Sequence, residues 1–394
     1  IKETLKMEEE KLGFNTKAIH VGNEPDEVTG AVIPSIHTSS TFQQEAVGVH
    51  KGYDYSRAGN PTQSRMEANI ASLENGKYGI AFSSGMAAIS SLFQLLKKGE
   101  HVILGRNVYG GTYRLVVDVL QKHGFEFSFV DFRDLHKVKR EIKSNTSWIF
   151  VETPTNPLLE LCDIHAVSKL CRENNIRLAV DNTFMSPYGQ NPLDLGADVV
   201  MHSATKFIGG HSDLIAGVLI TNNDDLADQL YFIQKSVGAV LSPFDLWLLL
   251  RSTKTLGLRV QCQSDNAFHI AKRLHDNKLT SGVIYPGLES HPQYELACRQ
   301  QLNPNGDPIY GSIISLKLGS VKARDSFLSN VRLFTLAESL GGVESLVCVP
   351  YTMTHGSIPD STKVNMGITE DLVRLAIGIE NLEDLYQDII NAIP

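Results

Sequence analysis

Cysteine is scarce in this sequence. Five occur among 394 residues, at positions 162, 171, 262, 298 and 348, and none belongs to a Cys-x-x-Cys pair. That sparseness leaves no basis for a zinc knuckle or a disulfide framework and fits a reducing cytoplasm. Long apolar runs are missing too: stretches such as Leu246 to Leu250 fall far short of the roughly 20 residues that span a bilayer. The opening, Ile1 to Lys11, is charged and lacks the apolar core of a secretory signal. Asn145-Thr146-Ser147 therefore reads as a chance match to a glycosylation acceptor. Dense Lys/Arg clusters are absent and the net charge is −8, which argues against nucleic acid and anionic membranes as partners. Nucleotide motifs fail as well, because Gly76-Lys77 lacks the upstream glycine of a phosphate-binding loop and Gly85 lacks the spaced glycines of a dinucleotide fingerprint.

What is present is enough apolar material, 42% of residues, to bury a large core, in a chain longer than one average domain. The first 60 residues hold few periodic segments and several breakers (Gly13, Gly22, Pro25, Gly30, Pro34), so an arm lying on another surface is expected there. From Met66 onward helical and extended patterns alternate. Helices are predicted over 66–73, 86–96, 112–122, 135–142 and 164–173, and strands over 79–82, 101–104, 126–130, 148–152, 177–181 and 199–201. Repeated units of this length build an α/β fold with a mostly parallel, doubly wound sheet whose ligand sits at the carboxyl ends of the strands. Pro243 to about Asn277 reads as one long or broken helix leading out of that region. Strands near Ile284, Ile313–Leu318, Leu346 and Leu375–Ile379 then predict a smaller C-terminal α/β domain. The expected division is 1–60, 61–255 and 256–394.

Polar residues fall at the predicted strand ends. Tyr109 follows one strand, Glu152 and Asn156 another, Asp181 closes a third and Lys206 follows a fourth. Most lysines are solvated surface charges. Lys206 departs from that rule, because the apolar strand behind it would desolvate its amine and lower its pKa enough to condense with an aldehyde. Ser203 and Thr205 bring hydroxyls beside it, and Gly209-Gly210 would let backbone approach a ligand closely. Ser84-Gly85-Met86 opens a predicted helix, whose free amides make an anion site. Tyr55 and Arg57, two apart in an extended segment, would aim a phenol and a guanidinium at one phosphate. Asp181 leaves three readings: a cap for the next segment, a Mg²⁺ ligand without a second acid, or the partner of a protonated ring nitrogen in a pyridine cofactor. Taken alone, Pro154-Thr-Asn-Pro157 is a turn and Arg374 a surface ion-pair partner.

Together the motifs Tyr55-Ser-Arg57, Ser84-Gly85-Met86, Val108-Tyr-Gly-Gly-Thr112, Glu152-Thr-Pro-Thr-Asn-Pro157, Val180-Asp-Asn-Thr-Phe184, Ser203-Ala-Thr-Lys206, Gly210-His-Ser-Asp213, Thr335-Leu-Ala-Glu-Ser-Leu-Gly-Gly342, Met353-Thr-His355 and Leu372-Val-Arg374 run in register from about Thr16 to the last helix. This set resembles the Cys/Met-metabolism family of pyridoxal-phosphate enzymes. The resemblance implies the PLP-dependent transferase-like fold of the aspartate aminotransferase type, with pyridoxal 5'-phosphate as cofactor and no metal. Lys206 would be the Schiff-base lysine, Asp181 would hold the pyridine nitrogen, and Tyr109 would stack on the ring; these are the implied catalytic residues. Gly85, Met86, Ser203 and Thr205 would bind the phosphate, and Tyr55 and Arg57 would reach the phosphate of a neighbouring subunit. Active sites would then be shared between chains of a homotetramer, a dimer of dimers. Asn156, Ser339 and Arg374 would grip the substrate's α-carboxylate, with Glu338 and Arg114 serving the rest of a long substrate.

The activity so implied is that of a carbon–sulfur lyase of transsulfuration, γ-elimination of L-cystathionine to L-cysteine, 2-oxobutanoate and ammonia, with hydrogen sulfide release from cysteine or homocysteine as a side activity. The same residues permit the γ-replacement of a synthase, and β-elimination is the further alternative. Gly111 stands where methionine-cleaving members usually carry cysteine, which counts against that branch, and Glu338 fits the γ-lyases and γ-synthases better than the bacterial β-lyases. Departures at Phe207, Ser252-Thr253 and Tyr310-Gly-Ser312 remove no catalytic group.

Overall fold

Apolar, largely β-branched and aromatic runs form the strands of a large central sheet. In the computed structural model, which describes residues 12–356 and 358–394, these are β1 (Tyr78–Phe82), β2 (His101–Gly105), β3 (Glu126–Val130), β4 (Thr146–Glu152), β5 (Arg177–Asp181), β6 (Val199–His202) and β7 (Gly217–Thr221). Their order is β1-β7-β6-β5-β4-β2-β3. The pairs β2–β3, β2–β4, β4–β5 and β5–β6 are parallel, whereas β7 runs antiparallel to both its neighbours. Helices cover both faces, so the inner strands read as continuous apolar runs: Val102-Ile-Leu104 and Trp148-Ile-Phe-Val151 are all buried. β7 was not expected. It follows the lysine loop without an intervening helix, so the strand–helix alternation left no place for it.

A smaller sheet domain contains β8 (Gly282–Ile284), β9 (Ile313–Lys317), β10 (Thr335–Leu336), β11 (Leu346–Cys348) and β12 (Leu372–Ala376), in the order β10-β11-β12-β9-β8. Its pairs are antiparallel apart from β10–β11. Its core joins Ile270 and Leu274 of the helix Leu256–Asp276 to Leu316, Phe327, Val347, Leu375 and Ile389. The last strand lies at 372–376, not 375–379, because its pairing with β9 sets Arg374 opposite Ser315.

Helix ends correct several expectations. The helix expected at 66–73 begins at Pro61, with Asn60 accepting the Thr62 N–H. That expected at 86–96 is Gly85–Phe93, capped by the Ser84 hydroxyl. The one expected at 112–122 is a short α-helix, Gly110–Arg114, that loosens into a π-helical turn over 115–119 and tightens into a 3₁₀ turn ending at Gly124, φ 84°. Pro243 to Asn277 is two helices, Pro243–Thr253 and Leu256–Asp276. Residues 1–11 of the expected arm lie outside the described residues, and no helix among the described residues is long and apolar enough to cross a membrane. Register does the rest: Glu152 pairs with Asp181 and Asp181 with Met201, so the polar ends of β4 and β5 lie side by side, with the end of β6 beside them.

Candidate active site

A cavity of about 400 Å³ opens at that shared edge. Lys206, four residues beyond β6, lines it from a loop held from beneath. Buried Arg259 donates to the carbonyls of Phe207 (2.7 Å) and Ser252 (3.0 Å). A Cβ on Gly210, φ +68°, would come within 1.9 Å of the Arg259 guanidinium, and one on Gly209 within 3.0 Å of the Ala204 carbonyl. The glycine pair therefore makes room for packing, a correction to the expectation that it admits a ligand. Lys206 Nζ donates to Ser339 Oγ at 2.8 Å. Burial pushes its amine down to about 8, helped by Arg374 and opposed by Glu338, so a share of it is neutral near physiological pH.

Two carboxyl groups lie side by side in the wall of the same cavity. Asp181 accepts the backbone N–H of Thr183 (3.0 Å) and its hydroxyl (2.5 Å), and Thr183 Oγ1 accepts the Ser203 N–H (2.9 Å). Burial raises the Asp181 pKa and the Thr183 bonds oppose the rise. Glu152 is pushed up to about 8 by burial and then by the charge of Asp181, against the N–H groups of Tyr109 and Asn156. Adjacent carboxylates in a dry wall do not both ionise cheaply. Behind them fully buried Glu74 accepts from the Asn182 amide (2.9 Å) and bonds the His202 ring (2.5 Å), tying together the residues that flank Asp181 and Ser203.

The floor is the start of the helix Gly85–Phe93. Ser84 Oγ accepts the Ala87 N–H, while the amides of Gly85 and Met86 belong to the first turn, which has no intrahelical acceptors. A Cβ on Gly217 would lie 2.2 Å from the Ser84 carbonyl and one on Gly85 3.0 Å from Ser203 Cβ, so the helix start seats this deeply only because both are glycine. Ser203 and Thr205 face the same space, Thr205 Oγ1 also exchanging bonds with the Ala216 backbone. A phosphate fits this amide-and-hydroxyl cradle, a ring nitrogen fits Asp181 and an aldehyde fits the Lys206 amine, so the residues present suit pyridoxal phosphate.

On the side of the smaller sheet, buried Arg374 donates to Asn156 Oδ1 (2.9 Å) and the Ser339 carbonyl (2.8 Å), and its Nε has no partner. Ser339 is held at φ 91°, a left-handed backbone that a serine adopts at a cost, and in that position its carbonyl reaches Arg374 while its hydroxyl reaches Lys206. Glu338 and Thr354 complete this wall. Thr354 bonds buried His355, whose pKa burial pushes down to about 4, with Arg374 acting in the same direction.

Of the residues singled out from sequence, Gly85, Met86, Tyr109, Asn156, Asp181, Ser203, Thr205, Lys206, Glu338, Ser339 and Arg374 meet in this one cavity. Three do not line it. Arg57 donates to the Lys235 carbonyl (2.6 Å) with its guanidinium 5.5 Å from the Tyr55 ring centroid, and Arg114 is exposed on the short helix. Sequence reasoning missed Thr183 and Thr354, and left Glu152 without a role. Thr183 had a signal, a hydroxyl two residues after an aspartate, the spacing of an Asx turn.

This chain is 49% identical over 384 residues to a cystathionine gamma-lyase of Dictyostelium discoideum, covering 97% of each. It is 47% identical over 380 residues to a cystathionine beta-lyase of Lactococcus lactis subsp. cremoris (strain MG1363), covering 96% of this chain and 98% of the other. The crystal structure of cystathionine gamma-lyase from Lactobacillus plantarum complexed with L-serine superposes with a TM-score of 0.93 at 42% identity, covering 97% of this chain and 98% of that one. A family model matches residues 15–394, a span that contains the whole of the cradle, the lysine and the arginine; the chain belongs to the family of Cys/Met metabolism PLP-dependent enzymes.

Proposed function

We propose that this chain is a cystathionine γ-lyase, converting L-cystathionine and water to L-cysteine, 2-oxobutanoate and ammonia. The observation that carries the reading is a desolvated lysine amine, 2.8 Å from Ser339 Oγ, in one cavity with Asp181 and with an arginine whose Nε is unpaired. In this reading Gly85, Met86, Ser203 and Thr205 hold the cofactor's phosphate, Asp181 its ring nitrogen, Tyr109 the ring face and Lys206 the aldehyde carbon. When bound, pyridoxal phosphate supplies an electron sink for charge developing on the substrate's carbons. Arg374 takes the α-carboxylate as a fork, oriented by Asn156 and Ser339. Lys206 removes the Cα proton; γ-elimination then needs a second proton taken from Cβ and one delivered to the leaving sulfur. A single amine can serve all three steps only if it hands on the Cα proton before it takes the one from Cβ, which it can then deliver to sulfur; the Tyr109 hydroxyl is a second donor there. Glu338 and Arg114 are assigned the distal part of the substrate.

The name of the Dictyostelium relative supports this reading. So does Gly111: a Cβ there would lie 2.5 Å from the Tyr109 ring and 2.8 Å from Met86 Sδ, so the cysteine of methionine-cleaving members would displace Tyr109. We assign Tyr55 and Arg57 to a neighbouring chain's phosphate in a cytoplasmic homotetramer, and the chain to an arm (1–60), a cofactor domain (61–255) and a C-terminal domain (256–394). Product analysis with cystathionine tests the activity. Cysteine with 2-oxobutanoate is expected; homocysteine with pyruvate would assign the β-lyase reaction, and condensation of an activated homoserine with cysteine as the preferred reaction would assign the synthase. Sedimentation velocity tests the tetramer.

A further inference from the structure

Glu152 closes β4 with its carboxyl group in the cavity wall and only 8% of the residue exposed. Its two oxygens serve different segments. Oε2 accepts the backbone N–H of Tyr109 at 2.8 Å, across 43 residues of chain, and Oε1 accepts the backbone N–H of Asn156 at 3.1 Å. Both donors would otherwise be left unpaired beside a cavity, a costly position for a backbone amide. Tyr109 stands at the start of the short helix Gly110–Arg114, where no side chain caps it, and Asn156 in turn holds Arg374. Hydrogen-bonded residues therefore lead from Tyr109 through Glu152 and Asn156 to Arg374, then through Ser339 to Lys206, Asn156 and Ser339 each using one backbone and one side-chain group.

We propose that Glu152 is a positioning residue whose single carboxyl group sets both Tyr109 and Asn156, and so couples the seating of the cofactor ring to the grip on the substrate's α-carboxylate. Two acceptor oxygens are what the position requires. A carboxamide would satisfy one N–H and turn its own NH₂ against the other, whereas a shorter carboxyl group keeps two oxygens at reduced reach. This inference rests on the proposed placing of Tyr109 against the cofactor and of Asn156–Arg374 against an amino-acid carboxylate; it does not depend on cystathionine being the substrate.

The test uses holoenzyme of the wild type, Glu152→Gln and Glu152→Asp, with two readouts. Visible-region circular dichroism of the bound cofactor reports how rigidly its ring is seated. Titration with glycine, followed by cofactor absorbance, reports carboxylate binding without a leaving group. In Glu152→Gln the dichroism falls and the glycine Kd rises about tenfold, the loss of one buried hydrogen bond. Glu152→Asp recovers part of both. A variant in which one readout changes while the other keeps its wild-type value, or in which neither changes, overturns the proposal; if Glu152→Gln cannot hold cofactor, the Asp variant decides on the same criterion. Should the wild type make pyruvate in place of 2-oxobutanoate, the γ-lyase reading fails while this test stands unaltered.

Discussion

The carboxyl edge of the seven-stranded sheet and the interior of the smaller sheet treat charge in opposite ways. At the first, Glu152, Asp181 and His202 end three neighbouring strands, all three buried, with Glu74 buried behind them. In the second, Leu316, Val347, Val373 and Leu375 pack on Phe327 and Leu385, and the sheet turns Arg374 out of β12 toward the cavity wall. Parallel strands stop along one common edge where helix starts also converge, so buried carboxylates find N–H donors there. Antiparallel strands return along themselves and spend their inward positions on packing. Titratable groups therefore concentrate on one sheet, and the other contributes support and one arginine to the cavity.

Substitutions should separate the two regions. The largest effect belongs to the edge: Lys206→Ala should lower kcat by at least about a thousandfold and abolish borohydride fixation of the cofactor, measured by release of 2-oxo acid from cystathionine and by absorbance. Next, Phe327→Ala in the smaller core should cost about 3–5 kcal/mol in urea unfolding while the KM of the folded enzyme stays near wild type; a large KM change would blur the division. Arg374→Lys keeps the charge but loses the fork, and should raise KM roughly tenfold with a smaller change in kcat.

A last test is on pH. Because burial lowers the Lys206 pKa from 10.5 to about 8, the rate at which apoenzyme takes up pyridoxal phosphate should climb about tenfold per pH unit below 8 and level off above it. A flat profile from pH 6 to 8 would break the comparison. In stability the sign is set by the unfolded chain, which keeps the proton up to 10.5: burial of the charged amine costs most below pH 8, and the apoenzyme gains stability as pH rises from 8 toward 10.5.

Much of the site was legible in the residue order. Tyr109, Asp181 and Lys206 could be placed because each follows an apolar run, and in a parallel sheet such runs end together. Arg374 was reachable only through the resemblance, since an arginine in Leu-Val-Arg looks like any ion-pair partner. Glu74 and Arg259 were not legible as parts of the site. Glu74 meets His202 across 128 residues and Arg259 meets Phe207 across 52, and no local pattern marks such partners. β7 escaped because an antiparallel return needs no helix before it, and Gly210 was misread because its neighbour in space, the Arg259 guanidinium, is remote in sequence.

By itself the amino-acid order determined the α/β alternation, the edge at which a ligand would sit and the residue types waiting there, because periodicity and strand ends are local properties. Tertiary structure alone decided that Lys206 is desolvated enough to fall to about 8, that Glu152 and Asp181 share one wall, and that a serine at φ 91° joins the lysine to the arginine. Those outcomes depend on burial and on distances between segments far apart in the chain, and such quantities exist only once the chain has folded.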